Sequence, residues 1–73
     1  MEFEIMTVES EIPCLVVADE DNGRFMIRKA DTSGEVFNSQ EELVNWIEAN
    51  WSKEKVVNTY DFVKMLEMLR VYH

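Results

Sequence analysis

The sequence predicts a small α+β domain, an antiparallel β-meander of three or four strands followed by two C-terminal helices packed on the sheet. Three observations carry this. Up to residue 37 the apolar residues come in short runs rich in β-branched and aromatic side chains, separated by polar clusters. From residue 38 onward they recur at three- and four-residue spacing behind capping residues. With 73 residues, 47% of them hydrophobic, the chain is one domain over 1–73 and too apolar for a disordered acidic tail. A chain this short buries only about 60% of its unfolded surface, so its core must be compact or helped by a partner.

Phe3-Glu4-Ile5-Met6-Thr7-Val8 reads as the first strand. Glu9 to Pro13 ends it, because Pro13 has no amide hydrogen for a ladder. Cys14-Leu15-Val16-Val17-Ala18 is continuously apolar, the pattern of a central strand covered on both faces. Asp19-Glu20-Asp21-Asn22-Gly23 closes on Asn-Gly, which tolerates the positive φ of a tight hairpin turn, and Arg24 to Arg28 returns antiparallel. A second turn at Ala30 to Gly34 leads to Glu35-Val36-Phe37, a fourth strand at the lower limit of length.

At Asn38-Ser39-Gln40-Glu41-Glu42 the period changes. Both Asn38 with Glu41 and Ser39 with Glu42 have capping-box spacing, so a helix is predicted over 39–51. At about 100° per residue, Trp46, Leu43, Ile47, Trp51 and Val44 fall within an arc of roughly 160° that faces the core. Ser52 to Lys55 breaks the pattern, and Val56-Val57 reads either as an extended link or as an extra edge strand. Asn58 or Thr59 caps a second helix over 59–72, with Asp61 in its first turn and Lys64 and Arg70 further along, as the helix dipole prefers. Phe62, Val63, Leu66 and Leu69 form its expected inner face, and Met65, Met68 and Tyr72 widen the apolar arc into a shoulder that asks for a cover.

Charge is placed unevenly. The net charge is -8, and seven of the fifteen acids (Glu2, Glu4, Glu9, Glu11, Asp19, Glu20 and Asp21) precede the first base, Arg24. The other eight acids share the rest of the chain with all seven bases, so residues 24–73 are near neutral. Such a field disfavours direct nucleic-acid binding, which needs clustered Lys and Arg. No apolar run reaches the roughly 18 residues of a membrane span, and no basic stretch follows Met1, so the chain reads as neither membrane-bound nor exported. A single cysteine fits a reducing, cytoplasmic setting.

Residues with chemical potential all have plainer readings. Asp19 to Gly23 resembles part of a calcium loop, but Gly23 falls where an oxygen ligand is required and strands flank it, so a solvated turn is expected and no metal. Cys14 sits among Ile12, Pro13 and Leu15, an apolar setting that raises a thiol pKa, and reads as structural. The one histidine, His73, is the last residue, and Ser10, Ser33, Ser39 and Ser52 lie in turns or caps, which leaves no hydrolytic relay. Glu20-Asp21 and Glu41-Glu42 are adjacent solvent-facing carboxylates without environments that separate their pKa values. Gly23 and Gly34 stand in separate turns and make no phosphate cradle. The chain is therefore expected to be non-catalytic and to need no cofactor.

Two function classes remain. The first is a protein-protein interaction or regulatory module, with a homodimer as one form and the partner otherwise unidentified. Phe3, Ile5, Cys14, Val16, Phe25 and Ile27 supply one apolar sheet face, while Leu15, Val17, Met6, Val8 and Met26 leave the other apolar too. If both helices pack on one side, the second face or the shoulder is an interface, with Trp46, Met65, Met68 and Tyr72 as candidate contacts. The second class is an acidic nucleic-acid mimic that blocks a basic groove, using the seven N-terminal carboxylates. Its bland counterpart is a solubilising surface, since small domains commonly carry net charges of magnitude about 2 to 8.

Overall fold

Strands β1 (Glu2–Ile5), β2 (Cys14–Asp19), β3 (Arg24–Arg28) and β4 (Gly34–Phe37) form one antiparallel sheet in the order β1-β2-β3-β4, and helices α1 (Gln40–Asn50) and α2 (Thr59–Val71) follow. This computed structural model describes residues 1–9, 11–29 and 33–71, with only the backbone of Val71. The predicted α+β meander with two C-terminal helices is the observed fold, and the brief fourth strand pairs fully with β3, from Phe25 opposite Phe37 to Arg28 opposite Gly34. Tyr72 and His73 lie outside the described residues, so the predicted helix end at 72 is not among the observations.

The turns follow from their residues. Asp19 stands opposite Arg24, which makes the β2–β3 hairpin loop Glu20–Gly23, longer than the two-residue Asn-Gly turn expected. The Gly23 amide donates to the Glu20 carbonyl at 3.3 Å, and Gly23 takes φ 64°, a conformation glycine adopts without a Cβ penalty. Asp19 closes the loop from its side: its carboxylate accepts from the Asn22 side-chain amide at 2.8 Å. At the next turn the Lys29 amide donates to the Ser33 carbonyl at 2.8 Å. Gly34 is required for another reason: a Cβ there would stand 2.9 Å from the Ile27 carbonyl oxygen on the neighbouring strand.

Of the two overlapping capping boxes, Ser39 is the N-cap. Its hydroxyl accepts from the Glu42 amide at 3.2 Å, and the Glu42 carboxylate reaches back to the Asn38 amide at 3.4 Å. Asn58, not Thr59, caps α2, accepting from the Asp61 amide at 3.1 Å. Val56 is the buried residue of the linker, and the segment 55–57 joins the loop after β1 without becoming a strand. There the Val57 amide donates to the Met6 carbonyl and the Val8 amide to the Lys55 carbonyl, at 2.8 and 2.9 Å. This explains why β1 stops at Ile5 and not at Val8: the backbone of residues 6–8 is turned toward the linker.

Both helices lie on the same side of the sheet. One core joins Ile5, Val16, Ala18, Phe25 and Ile27 from the strands to Leu43, Val44 and Ile47 of α1 and Phe62, Met65 and Leu69 of α2. Two expectations are corrected here. The continuous apolar run of β2 predicts cover on both faces, yet its burial alternates residue by residue, and Leu15 and Val17 stay half-exposed because no layer packs behind them. Met65, placed on the outer shoulder, is 0% exposed. The stripe of α2 runs Phe62, Met65, Leu69 at helical spacing, with Leu66 beside it and Val63 at its flank, so the inner arc is rotated toward Met65.

Candidate functional site

A strand sends alternate side chains to opposite faces, so a sheet with helices on one side presents the remaining set outward. Here that set is Glu2 and Glu4 on β1, Leu15, Val17 and Asp19 on β2, Arg24, Met26 and Arg28 on β3, and Val36 on β4. The register arranges it in rows. Glu2, Val17, Met26 and Val36 lie abreast, Glu4, Leu15 and Arg28 form the next row, and Asp19 and Arg24 the third. Read along the strands, the same residues form columns: acids on β1, Leu15 and Val17 followed by Asp19 on β2, bases around Met26 on β3, and Val36 alone on β4.

This face is a shallow surface and not a pocket. A half-open depression of about 280 Å³ is lined by Met1, Glu2, Leu15, Val17, Asp19, Arg24, Met26 and Arg28. Buried small-molecule sites run to about 300–1,000 Å³ and enclose most of their ligand, which this hollow does not. Val36 is 80% exposed on the edge strand. Among the described residues Arg24 and Arg28 form no ion pair; the pair present is Arg70 with Glu48 at 2.7 Å, between the helices. Asp19 is committed to Asn22. That side-chain hydrogen bond, more than the neighbouring backbone amides and the N-terminal charge, holds its carboxyl below the ordinary aspartate value.

The residues singled out from sequence do not converge. Trp46 is half-buried on the helix side, 6.2 Å from the Phe37 ring and 5.6 Å from the Trp51 ring, with the Lys29 ammonium 5.3 Å from its own ring. Met65 is in the core, and Tyr72 lies outside the described residues. Met68, 41% exposed, borders a separate hollow shared with Met1 and Asp19 to Asp21, at the end of the sheet where β2 stops. The seven N-terminal carboxylates divide into three places. Glu2, Glu4 and Asp19 are on the open face, Glu9 and Glu11 follow the end of β1, and Glu20 and Asp21 are in the loop after β2. Arg24 and Arg28 went unnoticed as site residues, although their alternation with Phe25 and Ile27 puts them opposite the core.

Cys14 is buried on the helix side of β2. Among the described residues no group of three or more His, Cys, Asp or Glu is placed to hold a metal ion, and no helix is long and apolar enough to cross a membrane. One buried polar group was not foreseen. Gln40, the first residue of α1, is 4% exposed; its amide nitrogen donates to the Leu69 carbonyl and its Oε1 has no partner. Comparisons of the chain with protein-family models, with curated proteins and with solved structures give no match.

Proposed function

We propose that the protein is a non-catalytic protein-interaction module that works through the open face of its sheet. One observation carries this reading: both helices pack on the same face, which leaves Leu15, Val17, Met26 and Val36 facing outward among the charges of β1 and β3. Aliphatic side chains ringed by polar ones are the composition of a protein-binding patch, with an apolar centre and a charged rim. The absence of catalysis is part of the reading. It is supported by the burial of Cys14 and by the use of Ser39 as a helix cap. A cytoplasmic setting also belongs to it, since the lone cysteine suits a reducing environment. Nucleic acid is not the partner, because the two bases on this face share it with three acids.

The acidic mimic is the weaker reading, since the seven carboxylates fall in three separate places and the three on the open face share it with two arginines. The test is affinity capture with the wild-type chain and with Val17→Lys, whose side chain points away from the core. Loss of captured protein in the variant, with unchanged circular dichroism, supports the open face. An identical set of captured proteins excludes it.

A further inference from the structure

We propose that the occupant of the open face is a second copy of this chain, packed sheet against sheet about a two-fold axis that runs along β2. The proposal rests on the reading above and adds the partner's identity and orientation. Its basis is the order of columns. With acids on β1 and bases on β3, equidistant from β2, a two-fold axis along β2 lays the acidic column of each copy over the basic column of the other. Rows stay level under this operation, so Glu4 meets the other copy's Arg28, and Glu2 falls between its Arg24 and Arg28. Val17 and Leu15 meet their own counterparts at the centre, and Asp19 meets its own counterpart at the end of the strand, where Arg24 of each copy stands beside it and offsets the like charge.

The alternative two-fold, across the strands, stacks β1 on β1 and sets Glu2 and Glu4 against their own copies, where like charges repel. The charge pattern therefore selects one orientation. Sheets that pack face to face keep their strands within about 30° of each other, which an axis along β2 permits. The arginines supply the second argument. Within one chain Leu15 stands between Glu4 and Arg28, and Arg24 and Arg28 form no ion pair among the described residues, so both guanidinium groups are available for intermolecular carboxylates. With β1, β2 and β3 of each copy overlapping and β4 outside the contact, strands about 4.8 Å apart and about 17 Å long make an area below the usual size of specific interfaces, so the dimer is a weak, concentration-dependent one.

Sedimentation equilibrium over a concentration series reaching about 1 mM, at low and high salt, reads the state directly. The wild-type mass should rise toward twice 8.6 kDa, and less so at high salt. Val17→Lys should stay at the single-chain mass with native circular dichroism. The double variants Glu2→Arg/Glu4→Arg and Arg24→Glu/Arg28→Glu should each weaken association by about tenfold or more, since each sets like charges against each other in the β1 and β3 columns. An equal mixture of the two should associate more strongly than either alone, as a heterodimer. A wild-type mass of one chain throughout, a dimer that persists in Val17→Lys through an edge or helix contact, or a mixture no stronger than its components overturns the proposal. If the wild type is monomeric yet Val17→Lys still loses a captured protein, the second-copy assignment falls and the interaction surface stands. If both experiments fail, the surface falls with it.

Discussion

Gln40 ties the start of one helix to the end of the other: its side-chain amide nitrogen donates to the main-chain oxygen of Leu69, inside the core. A buried hydrogen bond between the first residue of α1 and the backbone of α2 fixes the two helices against each other. The same side chain buries an acceptor, Oε1, that has no partner. Changing this one residue to Glu should therefore have a pH-dependent effect. A carboxylate facing a carbonyl oxygen in an apolar setting has a raised pKa in the folded state. The penalty of Gln40→Glu should appear as pH rises through the ordinary glutamate value of about 4.3 and level off above the raised folded value. Below that range the protonated acid donates to Leu69 and the variant approaches wild type. Urea melts of both proteins from pH 4 to pH 8 are the check, and a penalty that does not vary with pH refutes the argument.

Gly34→Ala and Gly23→Ala should both destabilise, for different reasons. At Gly34 the new methyl stands 2.9 Å from the Ile27 carbonyl oxygen, so the β3–β4 ladder has to part, at about 1–3 kcal/mol. At Gly23 nothing lies within 4 Å, and the cost, on the order of 1 kcal/mol, comes from φ 64° alone. Gly23→Asn separates the two causes, because asparagine tolerates the left-handed region and should recover part of the loss. No such recovery is expected for Gly34→Asn.

The two methionines of α2 make an internal control on its orientation. Met65 is fully buried and Met68 is 41% exposed. Met65→Ala should lower stability by about 2–5 kcal/mol, and Met68→Ala should stay within about 0.5 kcal/mol of wild type. Equal effects in denaturant melts would mean that the stripe faces elsewhere.

Asp19 should titrate below ordinary aspartates because the Asn22 amide binds its charged form. With the folded value depressed, its contribution to stability is present above the unfolded aspartate pKa and is lost as pH falls through the lowered folded value. Carboxyl chemical shifts across an acid titration, in wild type and in Asn22→Ala, measure this. The Asp19 midpoint should move up in the variant, and an unchanged midpoint would assign the shift to another cause.

Much of the fold was legible because local signals agreed with one another. Ser39 and Glu42 announced α1, the polar cluster at Asp19 to Gly23 announced a hairpin, and alternate apolar residues sorted Val16 and Ile27 to one face. What stayed hidden depended on non-local choices. The continuous run in β2 is equally compatible with cover on one face or two, and only the side on which both helices dock decides between them. Met65 was misplaced because a wide apolar arc fits several rotations of α2, and contacts with β1 and α1 fix one. Gln40 has no signal at all in a polar capping segment. The open face was legible as an alternative, whereas its arginines were missed because charges were counted along the chain and not across the register.

Nearest-neighbour strand order also sets the route by which this chain acquires its structure. The three hairpins close loops of eight, four and five residues, whereas seating α2 beside β1 joins residues from opposite ends of the sequence. Short loops close at low entropic cost and quickly, and the long closure comes after them. Substitutions in the β2–β3 hairpin, such as Ile27→Val, should slow refolding. Truncating Ile5 or Phe62 should instead accelerate unfolding and leave the refolding rate nearly untouched. Stopped-flow chevrons of these three variants place each contact before or after the barrier, and a refolding rate that drops with Phe62→Leu would put the chain-end closure in the nucleus.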